Sequence, residues 1–359
     1  MPKGESIMKK MIASAMAAMM AVSLTACGSS AASSAIASSV PASAPASEPA
    51  SADNSHFKVG IINYVDDPSL NQIQTAIEEE LAANGISYDS YNAQADQSTI
   101  TTIASQMIEN GVDMIIPIAT PTAMVVQNLT EENQIPVVFA AVSDPVGAGL
   151  VADLNAPGAN ITGTSDALDT ANVFNLIEAL NPDMTKIGLL YDASQDSSTK
   201  AIEEAEGRLN ELGIEYEAKT GTTTDDLALA AQALCDDGVQ VVFTPTDNTV
   251  QVAEPSIYTI FEEAGVQHFG GADSFALVGA FCGYGVDYAN LGTETAKMAV
   301  NILENAQNPA QVPVQFFDNG KASINTDVCA ALGLDFTEVS KTLEPLCTKV
   351  EGLATGAEF

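Results

Sequence analysis

From Phe57 onward, short apolar runs alternate with amphipathic stretches of helical period, and this alternation restricts the body to an α/β architecture on parallel sheets. Phe57 to Ile62 reads as a strand. The next stretch puts Leu70, Ile73, Ile77 and Leu81 on one helical face, with Asp67 as cap, Pro68 in the first turn and Gly85 as stop. A helix carrying Ile100, Ile103 and Met107 closes at Gly111. Strand Met114 to Ile118, helix Thr122 to Glu132 and strand Val137 to Ala141 follow. After Ile161 to Thr164 the series repeats: helix Val173 to Leu180, strand Ile187 to Tyr191, a helix with Ile202, Ala205, Leu209 and Leu212 stopped by Gly213, and strand Val239 to Thr244. A helix through Ile257, Ile260 and Phe261, stopped by Gly265, and strand Val266 to Gly270 complete it.

The repeat predicts two lobes. A helix with Leu291, Thr295, Met298 and Ile302 is expected to return to the first, because units of this class exchange their last elements. Residues 57–164 with 288–312 are assigned to lobe 1, 165–287 with 313–345 to lobe 2, and 346–359 to a tail.

The chain has 12 Lys and Arg against 47 Asp and Glu, a formal net charge of -35, so nucleic acid is excluded as a partner: phosphate binding needs clustered cations. The acidic surface reads as a solubilising one. Before the body, Lys9 and Lys10 precede an apolar run from Met11 to Val22, too short to span a bilayer. The run ends in Leu24, Thr25, Ala26 and Cys27, similar to a bacterial lipobox whose cysteine receives lipid. Met1 and Met8 are both possible starts. Residues 28–56 are Ser, Ala and Pro with a few acids, a tether too poor in large apolar groups to pack. Signal and tether together place the protein on the outer face of the cytoplasmic membrane, lipid-anchored. Cys235, Cys282, Cys329 and Cys347 allow three disulfide pairings, and free buried thiols are an alternative for Cys235 and Cys282. Their spacings match no metal motif, so no metal and no cofactor are expected.

In open parallel sheets ligands bind beyond the carboxyl ends of the strands. Six polar loops stand there: NYVDDPS from Asn63, ATPT from Ala119, VSDPVG from Val142, YDASQDSS from Tyr191, PTDNT from Pro245 and GADS from Gly271. Each hydroxyl or acid in them is by default a helix cap, yet their occurrence on both halves implies a cleft that closes on a ligand. Thr120, Pro121 and Thr122, at a helix start, can hold a carboxylate through NH groups and hydroxyls. Asp247 and Asn248 can meet an ammonium. Arg208, the only arginine, lies mid-helix away from these loops, so no arginine clamp is available. Tyr64, Phe139, Tyr191 and Phe275 are candidates for an apolar ligand group, with core packing as the alternative. His56 and His268 stand with no nucleophile in a recognisable motif, and no glycine-rich phosphate loop occurs, so catalysis is not expected.

The segments ATP at Ala119, SDPVGAGLV at Ser143, PGANITGTSD at Pro157 and PTDNTV at Pro245, with DPSL at Asp67 and DYANLG at Asp287, resemble the ABC-transporter substrate-binding family associated with tryptophan and tyrosine uptake. The likeness runs from about Lys58 to Gly333. It implies a type I periplasmic-binding-protein fold, α/β, with two Rossmann-like lobes of parallel sheet joined by crossing strands. It also implies an extracytoplasmic importer component, expected as a monomer, that hands an amino acid, aromatic by preference, to ABC permease and ATPase subunits. Carried over by motif, Ser69, Thr120, Pro121, Thr122, Ala141 and Asp144 line the first wall, and Ser165, Asp166, Asp247, Asn248, Asp273 and Asp287 the second. A sugar or nucleoside receptor of the same fold and a membrane-anchored sensor domain remain alternatives; the absence of Trp and the 6% aromatic content weigh against a sugar platform.

Overall fold

A computed structural model describes residues 53–356; the signal, Cys27 and most of the tether lie outside the described residues. The first series runs β1 (Lys58–Asn63), α1 (Pro68–Ala83), β2 (Ser87–Asn92), α2 (Gln97–Glu109), β3 (Met114–Pro117), α3 (Thr120–Thr130), β4 (Val137–Phe139) and β5 (Ile161–Ser165). The second runs α4 (Thr170–Leu180), β6 (Lys186–Tyr191), α5 (Asp196–Leu212), β7 (Glu215–Thr220), α6 (Thr224–Asp236), β8 (Val241–Thr244), α7 (Asn248–Ala264), β9 (Gln267–Gly270), α8 (Asp273–Leu277) and β10 (Cys282–Gly285). The chain closes with α9 (Tyr288–Glu304), β11 (Gln315–Phe316), β12 (Lys321–Asn325), α10 (Thr326–Ala331), α11 (Phe336–Leu343) and β13 (Lys349–Leu353).

Two sheets result, with strand orders β11-β5-β4-β3-β1-β2 and β13-β12-β10-β9-β8-β6-β7. All pairings are parallel except β10 with β12, which is antiparallel. This is the two-lobed α/β architecture that the alternation of apolar runs and helical stretches predicts. The chain passes between the lobes three times, after β5, after β10 and after β11. The last passage differs from the sequence boundaries: residues 315 and 316, assigned to lobe 2, pair with Thr164 and Ser165 in the first sheet. Lys349–Leu353, assigned to a tail, pairs with β12 as an edge strand of the second sheet.

Central strands are apolar because both faces are covered; β1, for example, buries Val59, Ile61 and Ile62 completely. The helices start where short polar side chains accept the first NH groups. Asp67, Asp96, Asp169, Thr223, Asp247 and Asp287 cap α1, α2, α4, α6, α7 and α9 in this way. α9 returns to the first lobe as its apolar stripe predicts and packs on α1. Gly292 makes that approach possible: a Cβ there would lie 2.5 Å from the carbonyl oxygen of Ile73. The first core combines residues of α1 and α9 with those of the β1–β4 region; a second gathers Phe174, Phe243, Phe269 and Phe281.

Candidate functional site

Both sheets reverse strand order beside their first strand, between β1 and β3 and between β6 and β8, and the loops at those carboxyl ends face one another across a cleft. Asp67, Ser69 and Leu70 enter it after β1, Ala119 and Thr120 after β3, Ala141 and Ser143 after β4, and Asp166 after β5. From the second lobe come Ser197 on α5, Thr246, Asp247, Asn248 and Gln251 around the start of α7, and Ala272, Ser274 and Phe275 after β9, while Tyr288 enters at the start of α9, where the chain returns to the first lobe. The cleft offers about 400 Å³ of space, part of it open to solvent.

Direct hydrogen bonds join the lobes. Ser69 Oγ on α1 donates to Asp273 Oδ1 at 2.7 Å and accepts from the Ser274 NH at 3.3 Å. Ser143 Oγ and Thr246 Oγ1 are 3.0 Å apart. Asp273 is also held by Lys321 Nζ at 2.8 Å, from the strand that follows the third crossing.

Three buried acids differ in how they are used. Asp247 caps α7 and is saturated: its Oδ1 accepts from the Thr249 and Val250 NH groups, its Oδ2 from the Asp192 NH and Ser198 Oγ. Asp67 caps α1 with Oδ1, through the Ser69 and Leu70 NH groups; its Oδ2 makes no well-formed hydrogen bond, although the neighbouring Ser274 hydroxyl favours its charged form. Burial first, then the charge of Asp273, raises its carboxyl to about 6. Asp166 accepts from Ser143 Oγ at 3.0 Å and lies beside the Tyr288 hydroxyl; burial raises it to about 6 as well. Tyr288 is fully buried, and burial, then the nearby Asp166, Asp273 and Asp67, push its phenol well above the ordinary value. Around this one ring, therefore, the cleft is strongly receptive to a positive charge.

The opposite need is met at α3. Ala119, its first flanking residue, has φ 73° and ψ 153°, a backbone region that side chains other than glycine rarely adopt, and no side chain caps the helix. Four more lining hydroxyl or amide groups have a buried oxygen without a hydrogen-bond partner: Thr120 Oγ1, Ser197 Oγ, Gln251 Oε1 and Ser274 Oγ. Buried polar atoms are nearly always paired, so Thr120 Oγ1, Ser197 Oγ and Gln251 Oε1, with the loosely engaged Asp67 Oδ2 and Ser274 Oγ beside each other, mark where a polar molecule would sit. Leu70 and Phe275 supply apolar surface.

Of the residues singled out in the sequence, Ser69, Thr120, Ala141, Asp166, Asp247 and Asn248 line the cleft. Asp273 lies behind the wall, bound to Ser69 and Lys321. Pro121 and Thr122 belong to the first turn of α3 outside the lining, and Ser165 is buried with its Oγ turned to the Ser143 carbonyl and the Ala167 NH. Asp144 turns onto its own loop, accepting from the Gly147 NH at 3.0 Å. Tyr64 is buried near Gln195, Asp192 and Asp247, outside the lining, and Tyr191 is half-buried near Glu206. Asp287 is exposed and caps α9; its neighbour Tyr288 is the cleft residue. Phe139 is core, whereas Phe275 reaches the cleft. Sequence reasoning did not select Asp67, Leu70, Ser143, Ser197, Thr246, Gln251, Ser274 or Tyr288. All but Gln251 and Tyr288 fall in or beside the six strand-end loops, and Gln251 stands one turn after Asp247, the spacing that would have found it. Among the described residues no cluster of His, Cys, Asp and Glu is arranged to hold a metal, and the four cysteines there are unbridged.

Residues 58–342 match the family model of the ABC transporter substrate binding protein. The chain belongs to this family. It is 30% identical to a tyrosine-binding protein of Clostridioides difficile over 282 residues, 77% of this chain and 81% of the relative. Among solved structures it is similar to an ABC domain from Streptococcus pneumonia in complex with L-Trp, at 31% identity and a TM-score of 0.76, covering 82% of this chain and 99% of the other. A substrate-binding protein with adhesive properties from Clostridium difficile, in a ligand-free open form, matches at 30% identity over 83% of this chain and 99% of the other, with a TM-score of 0.64. At nearly equal identity, the ABC substrate-binding fold here is thus closer in shape to the complexed relative than to the open one, in keeping with the direct bonds between its lobes.

Proposed function

We propose that this substrate-binding protein captures an amino acid, aromatic by preference, between its lobes and delivers it to an ABC permease for import, with no reaction of its own. The observation that carries the reading is the set of unpartnered buried oxygens around a cleft whose first-lobe wall offers both an uncapped helix start and two incompletely engaged acids. An α-amino acid presents the complementary charges. Its carboxylate fits the start of α3, where Thr120 adds a hydroxyl; its ammonium fits Asp67 and Asp166 beside Tyr288; its side chain meets Leu70 and Phe275. The sequence reading gave the ammonium to Asp247, but that carboxylate already accepts four hydrogen bonds, so the role passes to Asp67 and Asp166. The tyrosine-binding name and the L-Trp complex of relatives at 30% and 31% identity support the aromatic preference.

Calorimetric titration of the mature protein with the twenty amino acids tests the reading: tyrosine or tryptophan binds in the micromolar range or tighter, and failure of every aromatic amino acid to bind removes the ligand claim. The same reading places the protein outside the cytoplasmic membrane on a lipid at Cys27, acting as a monomer. Its test is Cys27→Ala, which releases the protein into the medium if the lipid is the anchor; unchanged membrane retention argues against it.

A further inference from the structure

A second hollow adjoins the cleft. Ser143, Ser197 and Thr246 line both, so the 3.0 Å contact between Ser143 Oγ and Thr246 Oγ1 stands on the boundary between them. The outer hollow offers about 290 Å³, part of it open to solvent, and is bordered by Ala167, Leu168, the exposed Lys200 and Glu204. Lys200 is unusual in this acidic chain. Every other described Lys or Arg has a carboxylate within 4.0 Å, whereas Lys200 has none, although Glu204 lies one turn along the same helix. A second observation is independent of the first: Ser197, one turn before Lys200 on α5, is 5% exposed and its Oγ has no hydrogen-bond partner while facing the shared boundary. Asp144, the other acid of the hollow, is turned back onto the Gly147 NH.

We propose that the outer hollow is a subsite for the carboxylate end of a ligand one residue longer than an amino acid, namely a dipeptide with an aromatic amino-terminal residue. The inference rests on the cleft reading above. The amino-terminal ammonium and ring occupy the inner cleft, the peptide carbonyl takes the start of α3, the peptide link replaces the direct Ser143–Thr246 contact, which opens to admit it beside Ser197, and the carboxylate ends on Lys200. A free amino acid fills the inner cleft alone and leaves Lys200 untouched. Glu204 competes for the same cation, so its removal favours the dipeptide.

Titrations of L-tyrosine, L-tyrosylglycine and its carboxyl-terminal amide into the wild-type chain and the Lys200→Met and Glu204→Gln variants test this. Tyrosylglycine binds the wild type; Lys200→Met weakens it about fivefold, the scale of a partly screened ion pair, and leaves L-tyrosine and the amide within about twofold, which also reports an intact fold. Glu204→Gln tightens tyrosylglycine. The subsite is overturned if L-tyrosine binds and tyrosylglycine does not, or if Lys200→Met affects all three ligands alike or none. Tyrosylglycine binding that depends on Lys200 while no free amino acid binds would sustain the subsite and end the amino-acid reading; no binding by any probe ends both.

Discussion

Ser69 and Asp273 belong to opposite lobes, 204 positions apart in the chain, and share a 2.7 Å hydrogen bond in which the serine donates to a carboxylate already held by Lys321. The bond exists only when the lobes are together, so it shifts the balance between open and closed forms. A hydrogen bond to a charged group contributes roughly 1.5–3 kcal/mol, and the apparent affinity of a closing receptor scales with the fraction that closes. Ser69→Ala is therefore expected to lower ligand affinity roughly tenfold and to raise the radius of gyration seen by small-angle scattering. An unchanged radius with unchanged affinity would show that the bond does not set closure.

Asp67 and Asp166 are both raised by burial to about 6. A carboxyl raised above its unfolded value binds more protons in the folded state. For these two groups, stability of the ligand-free protein is therefore greatest below about pH 4 and falls as pH rises through 6, other groups aside. An ammonium ligand needs them ionised, so its affinity should fall as pH drops below 6, with proton release on binding near that pH. Titration in buffers of different ionisation enthalpy measures the proton count; a count of zero near pH 6 contradicts the placement of the ammonium.

Ala119 holds φ 73° with ψ 153° at the mouth of the cleft. Glycine adopts that region without steric cost, and strain of this kind is worth about 1–3 kcal/mol. Ala119→Gly should accordingly be neutral to stabilising, by up to about 1 kcal/mol once the extra freedom of the unfolded chain is counted. Chemical denaturation reads this directly, and a loss above 1 kcal/mol would mean that the alanine is not strained.

Glu254 and His268 form a buried pair behind the second wall, 2.9 Å apart, with His268 Nε2 2.9 Å from Thr244 Oγ1. His268 packs at a tilt against Phe261, ring centroids 4.9 Å apart, and lies edge-to-face with the cleft residue Phe275. Removing one member of such a pair strands the other in the core, which costs on the order of 3 kcal/mol. Glu254→Ala should lower the melting temperature well beyond any surface substitution on α7, whereas Val252→Ala, on an exposed position, should not.

The parts of the fold that the sequence made legible are those in which one physical signal dominates: buried strands such as β1 and β8, and helices such as α1 and α9 with a clear apolar stripe. The edge strands β2 and β7, of sequences SYDSYN and EYEAKT, carry neither a hydrophobic run nor a strict alternation. Their backbone bonds to one neighbour define them, and no local pattern announces that. The loops were legible as a group because strand ends are where such sheets bind. Individual roles were not. Asp247 and Asp67 look alike as caps in sequence, and only the arrival of Asp192 and Ser198 from another loop saturates one of them. Likewise Asp287 stands out as an acid, while the neighbour that reaches the cleft, Tyr288, is identified by the direction in which α9 begins.

The contact of Gly292 with Ile73 has a consequence for how the chain is made. The first lobe needs α9 against α1 and β11 against β5, so it stays unfinished until about residue 316 has been synthesised. Pairings of such long sequence separation form slowly. A chain made from its amino terminus therefore cannot close the first lobe before β11 is available, however early β1 to β5 emerge.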